Sequence, residues 1–94
     1  MLIQTKLARN REYICSVYHV KELGVFGSYA SGRQTAGSDV DILVDFEDGH
    51  RDFFNYMRLK QYLEKMLGKK IDLVMKKAVK KRLKDRILRQ VLYV

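Results

Sequence analysis

Three aspartates and one glycine–serine pair are the residues in this sequence whose types and spacing can do chemistry. Asp39 and Asp41 flank a single valine in SDVDILVDF, and Asp72 stands alone in the apolar run IDLV. Residues two apart on a strand share a face, so Asp39 and Asp41 project together while Val40, Ile42, Val44 and Phe46 line the other side. The apolar set is the one that packs, which leaves the acidic pair on a face free for a ligand. If the strand carrying Asp72 is a neighbour, the three carboxylates converge. Unit charges about 4 Å apart repel by roughly 4 kcal/mol at an effective dielectric near 20, so such a cluster requires a neutralising cation. Oxygen donors with no Cys or His cluster nearby suit Mg²⁺ or Mn²⁺ rather than zinc. Two such ions can clamp the attacking and leaving oxygens of an in-line displacement at phosphorus. Gly27-Ser28 offers the complementary phosphate cradle, because glycine lets backbone approach closely and the serine hydroxyl and amide can donate.

The elements that must hold these residues follow from periodicity. Leu2, Ile3, Leu7, Ile14, Val17 and Tyr18 read as one amphipathic helix over residues 2–18. A first strand runs from Val20 to Phe26 and ends at Gly27-Ser28, with a brief helical turn over residues 29–32 and a polar loop from Arg33 to Ser38. The second strand covers residues 39–46. Asp52 is placed to cap a helix to Leu67 with Phe53, Tyr56, Leu59, Leu63 and Met66 along one stripe and Gly68 as its stop. In a third strand, residues 70–75, Ile71, Leu73 and Met75 face one way and Asp72 and Val74 the other. A last helix over residues 78–90 sets Val79, Leu83 and Ile87 on one face amid Lys80, Lys81, Arg82, Lys84, Arg86 and Arg89. Residues 91–94 continue that helix or add a short strand, and periodicity does not choose.

With 94 residues the chain is expected to form one domain with a single modest core. No apolar run reaches the roughly 18 residues that a membrane span needs, and the first residues turn charged too early for a secretory signal, so the expected compartment is the cytoplasm. The single cysteine, Cys15, has no internal disulfide partner and is expected to be a buried thiol. The net charge of +8 points to an anionic partner without selecting nucleotide, nucleic acid or an acidic protein face. Asp45 follows on the acidic strand face and is expected to be a solvated acid. Tyr29 is expected to pack rather than stack on a ligand, and Phe53, Tyr56 and Tyr62 to belong to the core or to a protein interface. His19 and His50 are expected to be isolated and without a catalytic role.

Gly27-Ser28, the Asp39-Val40-Asp41 strand and the later strand Asp72 together resemble the nucleotidyltransferase superfamily that includes DNA polymerase beta and kanamycin nucleotidyltransferase. The small size and the phrases FGSYASG, SDVDILV and IDLV are most similar to the minimal nucleotidyltransferases, the antitoxin halves of HEPN-type toxin–antitoxin pairs. The likeness runs from Val25 to Met75. It implies an α/β nucleotidyltransferase fold, a small mixed sheet of about three to four strands flanked by helices. It also implies ATP as substrate with two Mg²⁺ ions, Asp39 and Asp41 holding both and Asp72 ligating one and helping to deprotonate the attacking hydroxyl. Gly27 and Ser28 would bind the β and γ phosphates, with Arg33 and Ser38 as further nucleotide-binding residues. The implied acceptor is a tyrosine of a partner HEPN ribonuclease, which loses activity once it carries AMP. Ser31 departs from the pattern, since relatives often have arginine before the glycine, and Arg33 is the nearby substitute. The competing readings are a non-catalytic antitoxin that masks its toxin by binding, and a nucleic-acid binder or RNA nucleotidyltransferase that works through the basic last helix.

Overall fold

In the computed structural model, which describes residues 3–94, strands β1 (Val20–Phe26), β2 (Val40–Phe46), β3 (Ile71–Met75) and β4 (Leu92–Tyr93) form one sheet in the order β3-β2-β1-β4, and the core is built on it. Strand β1 (Val20–Phe26) pairs antiparallel with β2 (Val40–Phe46), and β2 pairs in parallel with β3 (Ile71–Met75). A parallel pair needs a crossover, and helix α4 (Phe53–Leu67) provides it. The first residue of the expected first helix, Leu2, lies outside the described residues. The remainder forms two helices, α1 (Ile3–Arg9) and α2 (Arg11–Tyr18), where one was expected. The break is at Asn10, whose side-chain amide donates to the Lys6 carbonyl at 2.8 Å and so occupies a group that the next helical turn would use. Ile3, Leu7, Ile14 and Tyr18 are nonetheless buried together, because the two short helices keep the apolar face of one long one.

The even-numbered residues of β2 do what their alternation predicts. Val40, Ile42, Val44 and Phe46 are all buried, against α1, α2 and α4. Helix α4 differs in its stripe: Leu59, Leu63 and Leu67 are buried, while Phe53 is 69% exposed. The inward position in the first turn belongs to Asn55. Its side-chain amide donates to the carbonyls of Tyr18 at 2.7 Å and His50 at 3.0 Å, and its backbone amide donates to the Asp52 carboxylate, the helix cap, at 2.9 Å. The same junction brings His19 and His50, expected to be isolated, into a stack with ring centroids 3.7 Å apart. Replacing Asn55 by alanine leaves two carbonyls without their donor and is expected to cost about 2–3 kcal/mol in chemical denaturation. A loss below about 0.5 kcal/mol would show that water replaces the amide freely.

The outer edge of β3 is closed by the same helix. The Tyr56 hydroxyl donates to the Leu73 carbonyl at 2.7 Å, and the Ile71 amide donates to Glu64 at 3.3 Å, so the edge is not left as a template for another strand. At the opposite edge the last residues form strand β4 (Leu92–Tyr93), antiparallel to β1, which settles the alternative left open by periodicity. Gly24 permits this pairing. A Cβ there would sit 2.5 Å from the Val91 side chain and 3.1 Å from the Leu92 carbonyl.

The second face of the sheet is only partly free for a ligand. Helix α5 (Lys81–Gln90) lies over it and forms a smaller apolar cluster from Phe26, Leu43 and Ile87, with Val74 and Val79 packed alongside. Asp45 is buried, at 5% exposure, where a solvated acid was expected. It lies opposite Glu22 in the register, and the Lys76 ammonium sits 2.6 Å from the Glu22 carboxylate. The Glu22 hydrogen bond raises the Lys76 pKa, with further support from the charges of Glu22 and Asp45. Lys76 therefore pairs with Glu22 on β1, and its charge is felt by the buried Asp45 on β2. Leu83 is also a correction. A 3₁₀ turn over Lys76–Ala78 delays the start of α5 to Lys81, so Val79 precedes the helix and Leu83 is left half exposed while Ile87 alone is buried. Cys15 is half-buried against the main core and is a free thiol.

Candidate active site

The sheet register gathers the sequence-selected residues at one end of the sheet. Phe26, the last residue of β1, pairs with Asp41, and Asp41 pairs with Asp72 across the parallel β2–β3 step. Asp39 immediately precedes β2 and is exposed, as is Asp72, whereas Asp41 is half-buried between them. Asp41 and Asp72 are close enough for their carboxyl groups to hydrogen-bond. Burial, the Asp72 charge and hydrogen bond, and the Asp39 charge all raise the Asp41 pKa. Like charges are thus held together by the strand pairing, and the strain shows at the most enclosed member.

Gly27 explains how Asp41 is enclosed. Its backbone lies at φ 70° and ψ −146°, a region that side chains disfavour, and an added Cβ would lie 2.1 Å from the Asp41 carboxylate. The carboxylate packs directly on the glycine backbone. The chain then turns into α3 (Ser28–Ser31), closed by bonds from the Ala30 and Ser31 amides to the Gly27 carbonyl. Beside this turn is a hollow of about 490 Å³ lined by Gly27, Ser28, Ala30, Ser31, Arg33 and Gln90. Gly27, Ser28 and Arg33 therefore share one cavity next to the acids. Ser38 does not line it: its hydroxyl accepts from the Thr35 amide at 2.9 Å within the loop's own turn.

Two residues of this neighbourhood were not singled out for the site by the sequence. Gln90 reaches the hollow from the end of α5, and a neutral amide at the end of a basic helix gives no pattern to detect. Tyr56, expected in the core or an interface, has its pKa raised by burial and by the Asp72 charge, which places its hydroxyl in the electrostatic field of the acids.

The donor set fits a hard divalent cation. Among the described residues no three acids, histidines or cysteines close into a metal centre by themselves. Asp41 and Asp72, with Asp39 at the rim, instead form an open, mutually repelling oxygen set. Magnesium suits such a set, because it usually completes its shell with water and substrate phosphates. In metal-free protein the raised Asp41 pKa has a defined consequence. Between the ordinary value of 3.8 and the raised one, the folded chain keeps a proton that the unfolded chain has released, so stability falls as pH rises through that window and stays lower above it. Thermal unfolding of the Asp41→Asn variant should lack this component, and identical pH profiles for the two proteins would contradict the assignment.

Residues 7–94 match the family model described as the nucleotidyltransferase domain. The chain belongs to that family. This nucleotidyltransferase is 41% identical over 92 residues to the protein adenylyltransferase MntA of Thermococcus cleftensis, covering 98% of this chain and 92% of that one. Among solved structures it superposes on a minimal nucleotidyltransferase with a TM-score of 0.82 and 35% identity, covering 98% of this chain and 95% of the other. A toxin–antitoxin structure with AMP-PNP matches with a TM-score of 0.76 and 26% identity, over 96% of this chain and 70% of that one. The mixed sheet flanked by helices that the motifs implied is the fold of these relatives. No helix among the described residues is long and apolar enough to cross a membrane.

Proposed function

We propose that this single-domain nucleotidyltransferase transfers AMP from ATP to a tyrosine hydroxyl of a HEPN-family ribonuclease in the cytoplasm, and so acts as that toxin's antitoxin. The observation that carries this reading is the pairing of Asp41 with Asp72 directly behind the Gly27-Ser28 turn. It joins a cation-binding acid set to a phosphate-sized hollow with one basic wall, Arg33. The similarity to a protein adenylyltransferase and to a toxin–antitoxin structure with AMP-PNP supports the choice of nucleotide and acceptor class.

In this reading Gly27 and Ser28 receive the β and γ phosphates, and Arg33 offsets their charge. Ser38 holds the loop that carries Arg33 through its turn with Thr35. Asp39, Asp41 and Asp72 would hold the divalent ions, which when bound would supply charge neutralisation at the α phosphate and lower the pKa of the attacking hydroxyl. Asp72, the exposed member of the strand pair, accepts the proton from the tyrosine hydroxyl. The phenolic oxygen then bonds to the α phosphorus, the bond from that phosphorus to the bridging oxygen breaks, and pyrophosphate leaves with the electron pair. Incubating the purified pair with ATP and Mg²⁺ should add the mass of AMP to the HEPN protein by intact-mass spectrometry. Equal inhibition of the ribonuclease with and without nucleotide, and no mass gain, would point instead to masking by binding.

A further inference from the structure

Helix α5 carries a second cavity, of about 710 Å³, that the site does not use. Its lining combines the apolar Val79 and Leu83 with the cationic Lys80, Arg82, Arg86 and Arg89. Arg82, Arg86 and Arg89 are four and three residues apart and fall on one helix face. Among the described residues the ion pairs are Arg51–Asp48 and Lys76–Glu22, so none of these four cations is matched by an acid of this chain. Leu83 is 50% exposed between them. The groove is continuous in sequence with the hollow, because α5 ends on Gln90, which lines it.

We infer that this groove docks an acidic amphipathic segment of the acceptor protein and presents its hydroxyl to the neighbouring site. The inference rests on the proposed protein acceptor and adds where that acceptor is held. Charge complementarity selects an anionic occupant, and the exposed Leu83 in the lining selects protein over nucleic acid, since a phosphate backbone has no apolar side to cover Leu83 and Val79. A segment with alternating leucine and glutamate faces satisfies both requirements at once.

The test uses Leu83→Asn and the double variant Arg82→Glu/Arg86→Glu, all at exposed positions. Affinity for the purified HEPN-family protein is measured without nucleotide, alongside affinity for Mg²⁺-ATP and for a short single-stranded RNA. Each variant should weaken partner binding by about tenfold or more, while ATP affinity stays within about twofold. Unchanged partner affinity in both variants overturns the groove, and it leaves the catalytic reading standing if wild type still transfers AMP. Should wild type transfer nothing, the nucleotide-free affinities still decide the groove, since they do not depend on catalysis. A variant pattern in which charge reversal abolishes RNA binding and Leu83→Asn changes nothing assigns the surface to nucleic acid and overturns the proposal.

Discussion

Asp41→Asn is expected to lower AMP transfer by at least about a thousandfold while leaving the protein as stable as wild type or more so. The two halves of this expectation come from the same observation. Asp41 is flanked by Asp72 and Asp39 and partly removed from water, so its charge opposes folding in the absence of a cation and its pKa is raised. Asparagine keeps the shape and a hydrogen bond to Asp72 but removes that charge, relieving the folded state. It also removes the anionic oxygen that a divalent ion requires. Label transfer from radiolabelled ATP and a thermal melt in metal-free buffer measure the two effects separately. Undiminished labelling would refute the role assigned to the strand pair. Lost labelling together with a collapsed melting temperature would show that Asp41 is needed for folding instead.

Gly27→Ala is the second large effect, and it should damage both properties. The glycine occupies a backbone region where a side chain costs on the order of 1–3 kcal/mol. The added methyl would also lie 2.1 Å from the Asp41 carboxylate, so the acid must move. Displacing a reacting group by about 1 Å costs about a hundredfold in rate, and transfer should fall by at least that much. Ser28→Ala, next in the chain, is a useful contrast: it removes one phosphate donor without moving Asp41 and should retain the wild-type melting temperature. If Gly27→Ala transfers AMP at the wild-type rate, the close packing of carboxylate on backbone has no part in positioning the acid.

The parts of this molecule that were legible in the sequence are those in which one element reports on itself. The alternation in SDVDILVDF picked out Val40, Ile42, Val44 and Phe46 as buried, though not Leu43 and Asp45 on the other face, and Asp52 and Gly68 bounded α4 correctly at both ends. The meeting of Asp41 with Asp72 could be stated only conditionally, because strand adjacency is a property of two segments at once. What stayed hidden depends on partners from elsewhere in the chain. Asp45 has no sequence neighbour to pair its charge, and its burial becomes intelligible only once Lys76, held by Glu22, brings a positive charge to that side of the sheet. The fourfold spacing of Val79, Leu83 and Ile87 suggested one apolar face, yet a spacing has that meaning only where the helix exists, and α5 begins after Val79. Asn55 took an inward position because two carbonyls from distant segments, the end of α2 and the loop before α4, needed a donor there. Gln90 entered the hollow through the path of α5 over the sheet, which no local pattern records.

The most direct measurement is the binding of Mn²⁺, as a paramagnetic stand-in for Mg²⁺, to the protein with a non-hydrolysable ATP analogue. Electron paramagnetic resonance on wild type and Asp41→Asn reads it without any partner protein. The aspartate pair behind the Gly27-Ser28 turn predicts a nucleotide-dependent Mn²⁺ site in wild type that weakens by about a hundredfold or more in the variant. Equal Mn²⁺ affinity in the two proteins, or no gain on adding the nucleotide, would contradict it.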